Sequence, residues 1–459
     1  MAKEIGTLVI FGAGGDLTKR LLLPGLGQLV DSGRSEDFAL LGVGQGAMSN
    51  AAWRSRVEKS FASSGATGAT ARALAAKSEY HRADVTSHAD LEAILARCTG
   101  TPAFYFALPP RVTIAACRAL AKVDLPDGTV FGLEKPFGTD LASAAALNRQ
   151  LVKIIPEQQI HRVDHFLGKS TVLNLLGLRF ANRILEPVWN SNNIESVEIV
   201  FDEQLGLEGR AGYYDRAGAL VDMIQSHLLL VMALVAMEAP SSVGAEDLRG
   251  SMAQVLRATS VFGGRAADAS RRARYTAGTV KGRKLPSYIR EEGVDARNRT
   301  ETLAEVVLSV NNWRWAGVPF TLRSGKALAA QRKEIIVTFK DVPHLPTGFA
   351  GMPGPAALRI SLSPDDIRLD LNINGQGDPF TIDRVVLSTE FGAGELEPYG
   401  EVLSGMLSND PTLSVRADEI EECWRIVEPV LAAWKRDAVT LDTYPAGSGG
   451  PASWRRSLR

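Results

Sequence analysis

Cysteine is scarce in this chain of 459 residues: Cys98, Cys117 and Cys423 are the only three. They are widely spaced, odd in number, and form neither a CxxC pair nor a Cys/His ligand spacing. That excludes a disulfide framework and a zinc site and points to a reducing compartment. The chain also lacks a surplus of one charge sign, since 51 basic side chains face 52 acidic ones, interspersed, for a formal net charge of −1. No whole-chain field recruits nucleic acid or an anionic membrane, so any anion-binding site has to be local. Long apolar runs are missing too: the longest, 228–237, is too short to cross a bilayer. The N-terminal MAKEIGTLVIFGAGGDL leads from a short apolar run straight into a glycine turn and has no leader-peptide pattern. The expectation is a cytoplasmic protein with no metal, nucleic-acid or membrane partner.

What the chain does have is apolar content of 45%, enough for a large core, and a length that suits two domains or three. Over residues 6–165, short β-rich runs (7–11, 38–43, 103–107, 130–133) alternate with Ala- and Leu-rich stretches of helical period (16–30, 51–62, 88–97, 111–122, 140–153). That alternation predicts a doubly wound parallel sheet, an α/β domain. Beyond residue 166, helical segments precede longer alternating runs at 194–201, 305–310, 334–339 and 358–362, which predict a mostly antiparallel sheet packed on helices. The expected division is 1–180 and 181–459, the second being a β+α domain. The Gly- and Pro-rich stretch 345–355 and the tail 444–459 are expected at the surface.

The first predicted strand runs into Gly12-Ala13-Gly14-Gly15-Asp16-Leu17 and then a helical pattern. This is the setting of a dinucleotide-binding turn, where glycines admit a pyrophosphate to the backbone and the helix N-terminus favours its charge. Taken alone, the same glycines also fit a mere tight connection. Coenzyme choice is read at the end of the second strand, where an acidic group binds a ribose 2′-hydroxyl or an arginine a 2′-phosphate. Here that place reads Gly42-Val43-Gly44-Gln45-Gly46-Ala47-Met48-Ser49 and supplies neither. NADP and NAD both stay open, with Gln45 and Ser49 as hydrogen-bonding candidates and Arg54 or Arg56 as cations from the next helix.

Further along stands Arg162-Val163-Asp164-His165-Phe166-Leu167-Gly168-Lys169. It is accompanied by Glu134-Lys135-Pro136-Phe137-Gly138, Leu178-Arg179-Phe180-Ala181-Asn182, Trp313-Arg314-Trp315-Ala316-Gly317-Val318-Pro319-Phe320, Arg323-Ser324-Gly325-Lys326 and Tyr444-Pro445-Ala446-Gly447. In kind and order these strings resemble those of the glucose-6-phosphate dehydrogenase family, over residues 5–450. The resemblance implies a Rossmann-like NADP-binding domain followed by a larger β+α domain that binds substrate and assembles homodimers or homotetramers through its sheet. It implies oxidation of D-glucose 6-phosphate to the 6-phospho-1,5-lactone, the entry to the pentose phosphate pathway.

Oxidising a sugar hemiacetal requires a base for the C1 hydroxyl proton, and histidine suits because it titrates near neutrality. Taken alone, His227, inside the apolar Gln225-Ser226-His227-Leu228-Leu229-Leu230, reads as a core histidine satisfied by a carbonyl. The resemblance implies instead that His227 is the base and Asp164 the carboxylate that orients it, as in other Asp/His pairs. Asp222 lies five positions before His227, which on an α-helix is roughly 140° away, and the resemblance gives it, with Glu203, to the sugar hydroxyls. His165 and Lys169 are implied phosphate ligands, Lys326 a substrate lysine, and Lys135 a lysine approaching both coenzyme and substrate beside a proline often cis in the family. The turn Gly12 to Leu17, with Gln45, is the implied coenzyme cradle.

Three departures separate the chain from the family pattern. Leu21 stands where a basic residue is usual, and no arginine follows the second strand. Gln331 stands where a further phosphate-binding cation is usual, with Arg332 and Lys333 directly after it. A lost charge-assisted contact costs about 1 to 3 kcal/mol, roughly ten- to a hundredfold in affinity. The departures are compatible with a paralogue preferring NAD or another hexose phosphate; a non-catalytic regulatory homologue is the alternative from a different class.

Overall fold

The computed structural model describes every residue except 1–3, 36, 364, 376, 391–393 and 455–459. It divides into two compact units, and neither is one continuous stretch. The first takes residues 1–170, 240–250 and 393–421; the second takes 171–239, 251–392 and 422–459.

The first unit is built on a seven-stranded sheet. Its strands are β1 (Ile5–Phe11), β2 (Ala39–Gly44), β3 (Glu79–Arg82), β4 (Thr101–Phe106), β5 (Val130–Glu134), β6 (Ile160–Val163) and Ser414–Val415. The order is Ser414–Val415, β6, β5, β4, β1, β2, β3, parallel throughout except for the short Ser414–Val415 strand. The predicted doubly wound sheet is therefore present. Sequence pattern missed β3, β6 and the helix Ala69–Lys77. In β6 the reason is plain: all four residues are buried, yet two are His161 and Arg162. Arg162 is accommodated by a bidentate bond to Glu157, at 2.7 and 3.0 Å, and one to Asn148 at 3.1 Å, so each nitrogen of the buried guanidinium has a partner. The register Phe11↔Val43 and Phe11↔Phe106 brings β1, β2 and β4 to a common carboxyl edge. That is where ligands bind in open parallel sheets. Leu26, Leu29, Trp53, Val57, Phe61, Leu403 and Met406 pack into one core with β1 and β4.

The second unit carries a ten-stranded sheet. From one edge it runs Ile382–Glu390, Asp366–Asn374, Ala357–Ser361, Arg332–Phe339, β7 (Ile194–Asp202), Pro319–Gly325, Leu303–Val310, Ser270–Thr276 and Leu441–Pro445, with Thr259–Val261 paired to Leu303–Val310. Two pairings are parallel, β7 with Pro319–Gly325 and Ser270–Thr276 with Leu441–Pro445; the rest are antiparallel. The stretch 228–237 forms the end of a helical run, Ala211–Ala236, long and apolar enough to cross a membrane, but 89% of its most apolar window is buried inside the protein. It is the core helix of this unit. The stretch 345–355 is mostly exposed, as expected. The tail is a correction: instead of lying on the surface, Tyr444 is fully buried on the last strand, its hydroxyl 2.7 Å from the Lys326 carbonyl and 2.9 Å from Thr302 Oγ1. One strand of five residues is too short to show an apolar period.

Candidate active site

In the first unit the glycine turn closes directly off β1. Gly12 has φ of +81°, and a Cβ there would stand 2.1 Å from the Ala107 carbonyl, so only glycine fits. The amides of Gly12 and Ala13 both donate to the Val43 carbonyl (2.9 and 3.0 Å) and that of Gly15 to Gly12 O at 2.9 Å. The amides of Gly14, Asp16 and Leu17 take no such turn bond; they precede the helical segment Thr18–Leu22, where a pyrophosphate is favoured. A Cβ built on Gly14 would meet no atom beyond its chain neighbours within 4 Å among the described residues, which leaves the room a phosphate needs. Leu17 packs against the core, and Asp16 pairs at the surface with Arg20 at 3.2 Å. The turn fits a dinucleotide.

Gln45 follows β2, and its side chain hydrogen-bonds Asp84. Of the two helix cations considered for this place, Arg54 turns away to the Ser78 carbonyl (3.0 Å), whereas Arg56 reaches back to the Gly14 carbonyl at 2.9 Å. Sequence reasoning missed Arg82, whose Nε donates to the Gln45 carbonyl at 2.9 Å. The signal was the parallel β2–β3 register, which sets Arg82 beside Gly44.

Beyond β6, Asp164, His165 and Lys169 share one turn, closed by the Leu167 amide on Asp164 O (3.0 Å) and by the Phe166 amide on Asp164 Oδ1 (2.9 Å). Asp164 is buried, while His165 is half-buried and stacks on Tyr399 at 5.6 Å and 12°. Lys169 lies with Nζ 4.7 Å from the Phe166 ring centre. The Lys135–Pro136 peptide is cis. Just before it, Glu134 accepts from the hydroxyls of Tyr105, at 2.5 Å, and Tyr399. Burial pushes the Glu134 carboxyl up to about 7, with nearby Asp164 pushing the same way and the tyrosines and Lys135 opposing. Glu134 thus ties the ring that stacks on His165. Leu21 is 41% exposed and supplies no charge.

In the second unit, Asp222 and His227 lie on one element, and its geometry corrects the sequence reading. Residues Leu220–Leu228 form a π-helix rather than an α-helix. Because its hydrogen bonds span five residues, positions five apart stack instead of diverging. Asp222 and His227 are both buried, at 4% and 2% exposure. Two residues before the π-helix stands Gly218, which has φ of +66°. Its missing side chain admits Glu301, since a Cβ at Gly218 would lie 2.2 Å from Glu301 Oε1. That carboxyl accepts from the Leu220 amide at 3.0 Å. Burial pushes Glu301 up to about 7.

Glu203, just past the end of β7, receives Lys326 Nζ at 2.7 Å. The strand after Gln331 alternates, so its side chains part company. Arg332 turns outward to Glu334 at 3.0 Å, while Lys333 turns to Glu203 at 4.0 Å and covers the Phe201 ring at 4.4 Å. The cation that stands with Glu203 and Lys326 is Lys333, two places from the exposed Gln331. Tyr214, also missed from sequence, faces Lys326 Nζ at 5.2 Å, and its buried hydroxyl has no hydrogen-bond partner among the described residues. Asp222 lies 3.8 Å from Arg210. This cluster of carboxylates, lysines and an unused hydroxyl suits a polyhydroxylated anion.

The chain matches two family descriptions: "Glucose-6-phosphate dehydrogenase, NAD binding domain" over residues 9–174 and "Glucose-6-phosphate dehydrogenase, C-terminal domain" over 176–459. It is 38% identical to the glucose-6-phosphate 1-dehydrogenase of Gluconobacter oxydans, covering 96% of this chain and 94% of that protein. Among solved structures, a glucose-6-phosphate dehydrogenase in complex with glucose 6-phosphate superposes with a TM-score of 0.86 at 30% identity, over 98% of this chain and 97% of that one. The glucose-6-phosphate 1-dehydrogenase of Mycobacterium avium gives 0.83 at 34% identity, over 98% and 96%.

Proposed function

The chain belongs to the glucose-6-phosphate dehydrogenase family, and from that premise we propose that it oxidises D-glucose 6-phosphate to the 6-phospho-1,5-lactone with NADP as coenzyme. What supports this reading is the match to both family descriptions over residues 9–174 and 176–459, together with the presence of Asp164, His165, Lys169, Glu203, Asp222, His227 and Lys326, the residues to which the resemblance gives the chemistry and the sugar phosphate. His227 takes the C1 hydroxyl proton, and Asp164 orients its ring and stabilises the imidazolium. Asp222 and Glu203 accept from sugar hydroxyls, and Lys326, itself held by Glu203 at 2.7 Å, donates to the sugar. His165 and Lys169 bind the 6-phosphate. Gln331 is a neutral phosphate-side donor, with Lys333 supplying the charge it lacks. Bound nicotinamide, on the cradle Gly12, Ala13, Gly14, Gly15, Asp16, Leu17 and Gln45 with Lys135 alongside, supplies the hydride acceptor. The product feeds the pentose phosphate pathway. A cytoplasmic location agrees with a chain that has only three cysteines. Assembly into a homodimer or homotetramer is supported by the exposed Ile373, Val386 and Leu387 on the outer strands of the large sheet.

The test is the initial rate of appearance of reduced nicotinamide with purified protein, glucose 6-phosphate, and NADP and NAD in parallel. Reduction with NADP that is absent when glucose replaces its phosphate is the expected outcome. No reduction with either coenzyme overturns the reading.

A further inference from the structure

The second strand ends without the side chain that usually reads the coenzyme ribose, yet the structure surrounds that place with cations. The β2–β3 register sets Arg82 opposite Gly44. Its Nε is fixed on the Gln45 carbonyl at 2.9 Å, and its terminal nitrogens make no other bond among the described residues. Arg56 arrives from the helix Asn50–Ser63 and is fixed through one terminal nitrogen on the Gly14 carbonyl at 2.9 Å. Both side chains are therefore oriented by backbone carbonyls of the loops that a dinucleotide must touch, with planar donor edges left over. The Tyr80 hydroxyl sits with them, donating to the Gly46 carbonyl at 2.7 Å. Burial raises that phenol, and the Arg56 and Arg82 charges both oppose the rise, which sets the two guanidinium groups beside one hydroxyl. A Cβ on Gly46 would meet nothing within 4 Å, so there is space for a substituent on the ribose. The carboxylates on this side are engaged: Asp84 by the Thr86 amide (2.9 Å), the Thr86 hydroxyl (2.7 Å) and the Gln45 side chain, and Asp90 by the Asp84 amide at 2.6 Å. Two cations with donor edges to spare, beside carboxylates already engaged, favour a phosphate over a bare hydroxyl.

We infer that Arg82, supported by Arg56, is the specificity-determining residue that recognises the 2′-phosphate of the coenzyme, replacing the arginine missing after β2. This rests on the coenzyme-binding part of the proposed function and names its selective group. The experiment is calorimetric titration of the full-length protein with adenosine 2′,5′-bisphosphate and adenosine 5′-monophosphate, two probes that differ by the 2′-phosphate alone. Wild type should prefer the bisphosphate at least tenfold, with a preference that shrinks as salt rises. Arg82→Gln should remove most of that preference and leave 5′-monophosphate affinity within about twofold, while Arg82→Lys keeps part of it. Equal affinity of wild type for the two probes, or an unchanged preference in Arg82→Gln, overturns the inference. Turnover separates this from the parent reading. Oxidation of glucose 6-phosphate without probe discrimination defeats only the role of Arg82, and discrimination without turnover defeats only the proposed reaction.

Discussion

The two units place their polar groups by opposite means. In the first, the exposed Arg82 ends the edge strand β3, the half-buried Arg56 comes from the helix Asn50–Ser63, and each is aimed by a single bond to a backbone carbonyl. In the second, Asp222, His227 and Lys326 are buried, and each depends on elements distant in sequence. Glu301 caps the helix that carries His227 from 81 residues downstream of Leu220, and Lys326 is held by Glu203 from 123 residues away. An exposed cation is desolvated little on folding, so its removal changes affinity and salt dependence more than stability. A buried group is tied into the fold, so chemistry and stability there are coupled.

The largest expected effect tests whether the buried cluster separates binding from chemistry. His227→Asn keeps a polar side chain of similar reach but removes the base, and should lower kcat by about 10³- to 10⁴-fold with KM for glucose 6-phosphate changed less than about threefold. Steady-state kinetics with a circular-dichroism check of folding decides it. Turnover near that of wild type would remove His227 from the role of base.

Next in size is a contrast between neighbours on one strand. Lys333→Gln should raise KM for glucose 6-phosphate by roughly ten- to a hundredfold, the cost of one charge-assisted phosphate contact. Arg332→Gln should leave KM within about twofold, because that side chain faces Glu334 at 3.0 Å. If Arg332 is the sensitive one, the alternation of that strand has been assigned to the wrong face.

The same contrast explains how much was legible in the sequence. Runs such as 7–11 and 194–201 announce themselves because burial of one or both faces writes a pattern into neighbouring residues. β3 does not, since Glu79 and Arg82 are exposed and its middle residues only half-buried, and with it went Arg82. Reading the glycine turn was possible because it is local, a backbone demand met within a few residues, and the turn bearing Asp164 was read from the resemblance of the 162–169 string. The π-helix was not, because seven of its nine residues are buried and no apolar stripe is left to mark a period. The decision lies in the pairing of Gly218 with Glu301, a contact between distant parts of the chain. Arg332 and Lys333 were both legible after Gln331, but counting along the chain does not separate them, whereas a strand sorts its side chains by parity.

The smallest expected effect is a pH dependence of stability, and it bears on what holds the His227 helix. Burial raises Glu301 from its ordinary 4.5 to about 7 in the folded protein. Between those values the folded state keeps a proton that the unfolded chain has released. Its contribution to stability is therefore fully present below about pH 4.5 and declines as pH rises, until it is lost above about 7. The slope attributable to this one group is at most about 1.4 kcal/mol per pH unit. Urea unfolding of wild type and Glu301→Gln, measured from pH 5 to pH 8, should differ in slope in that direction, the variant being flatter. The amide of the variant keeps an oxygen to accept from the Leu220 N–H, so the cap survives while the titration goes. Parallel slopes would mean that Glu301 is ionised throughout, held by the amides it caps, and that the π-helix rests on a charge and not on a shared proton.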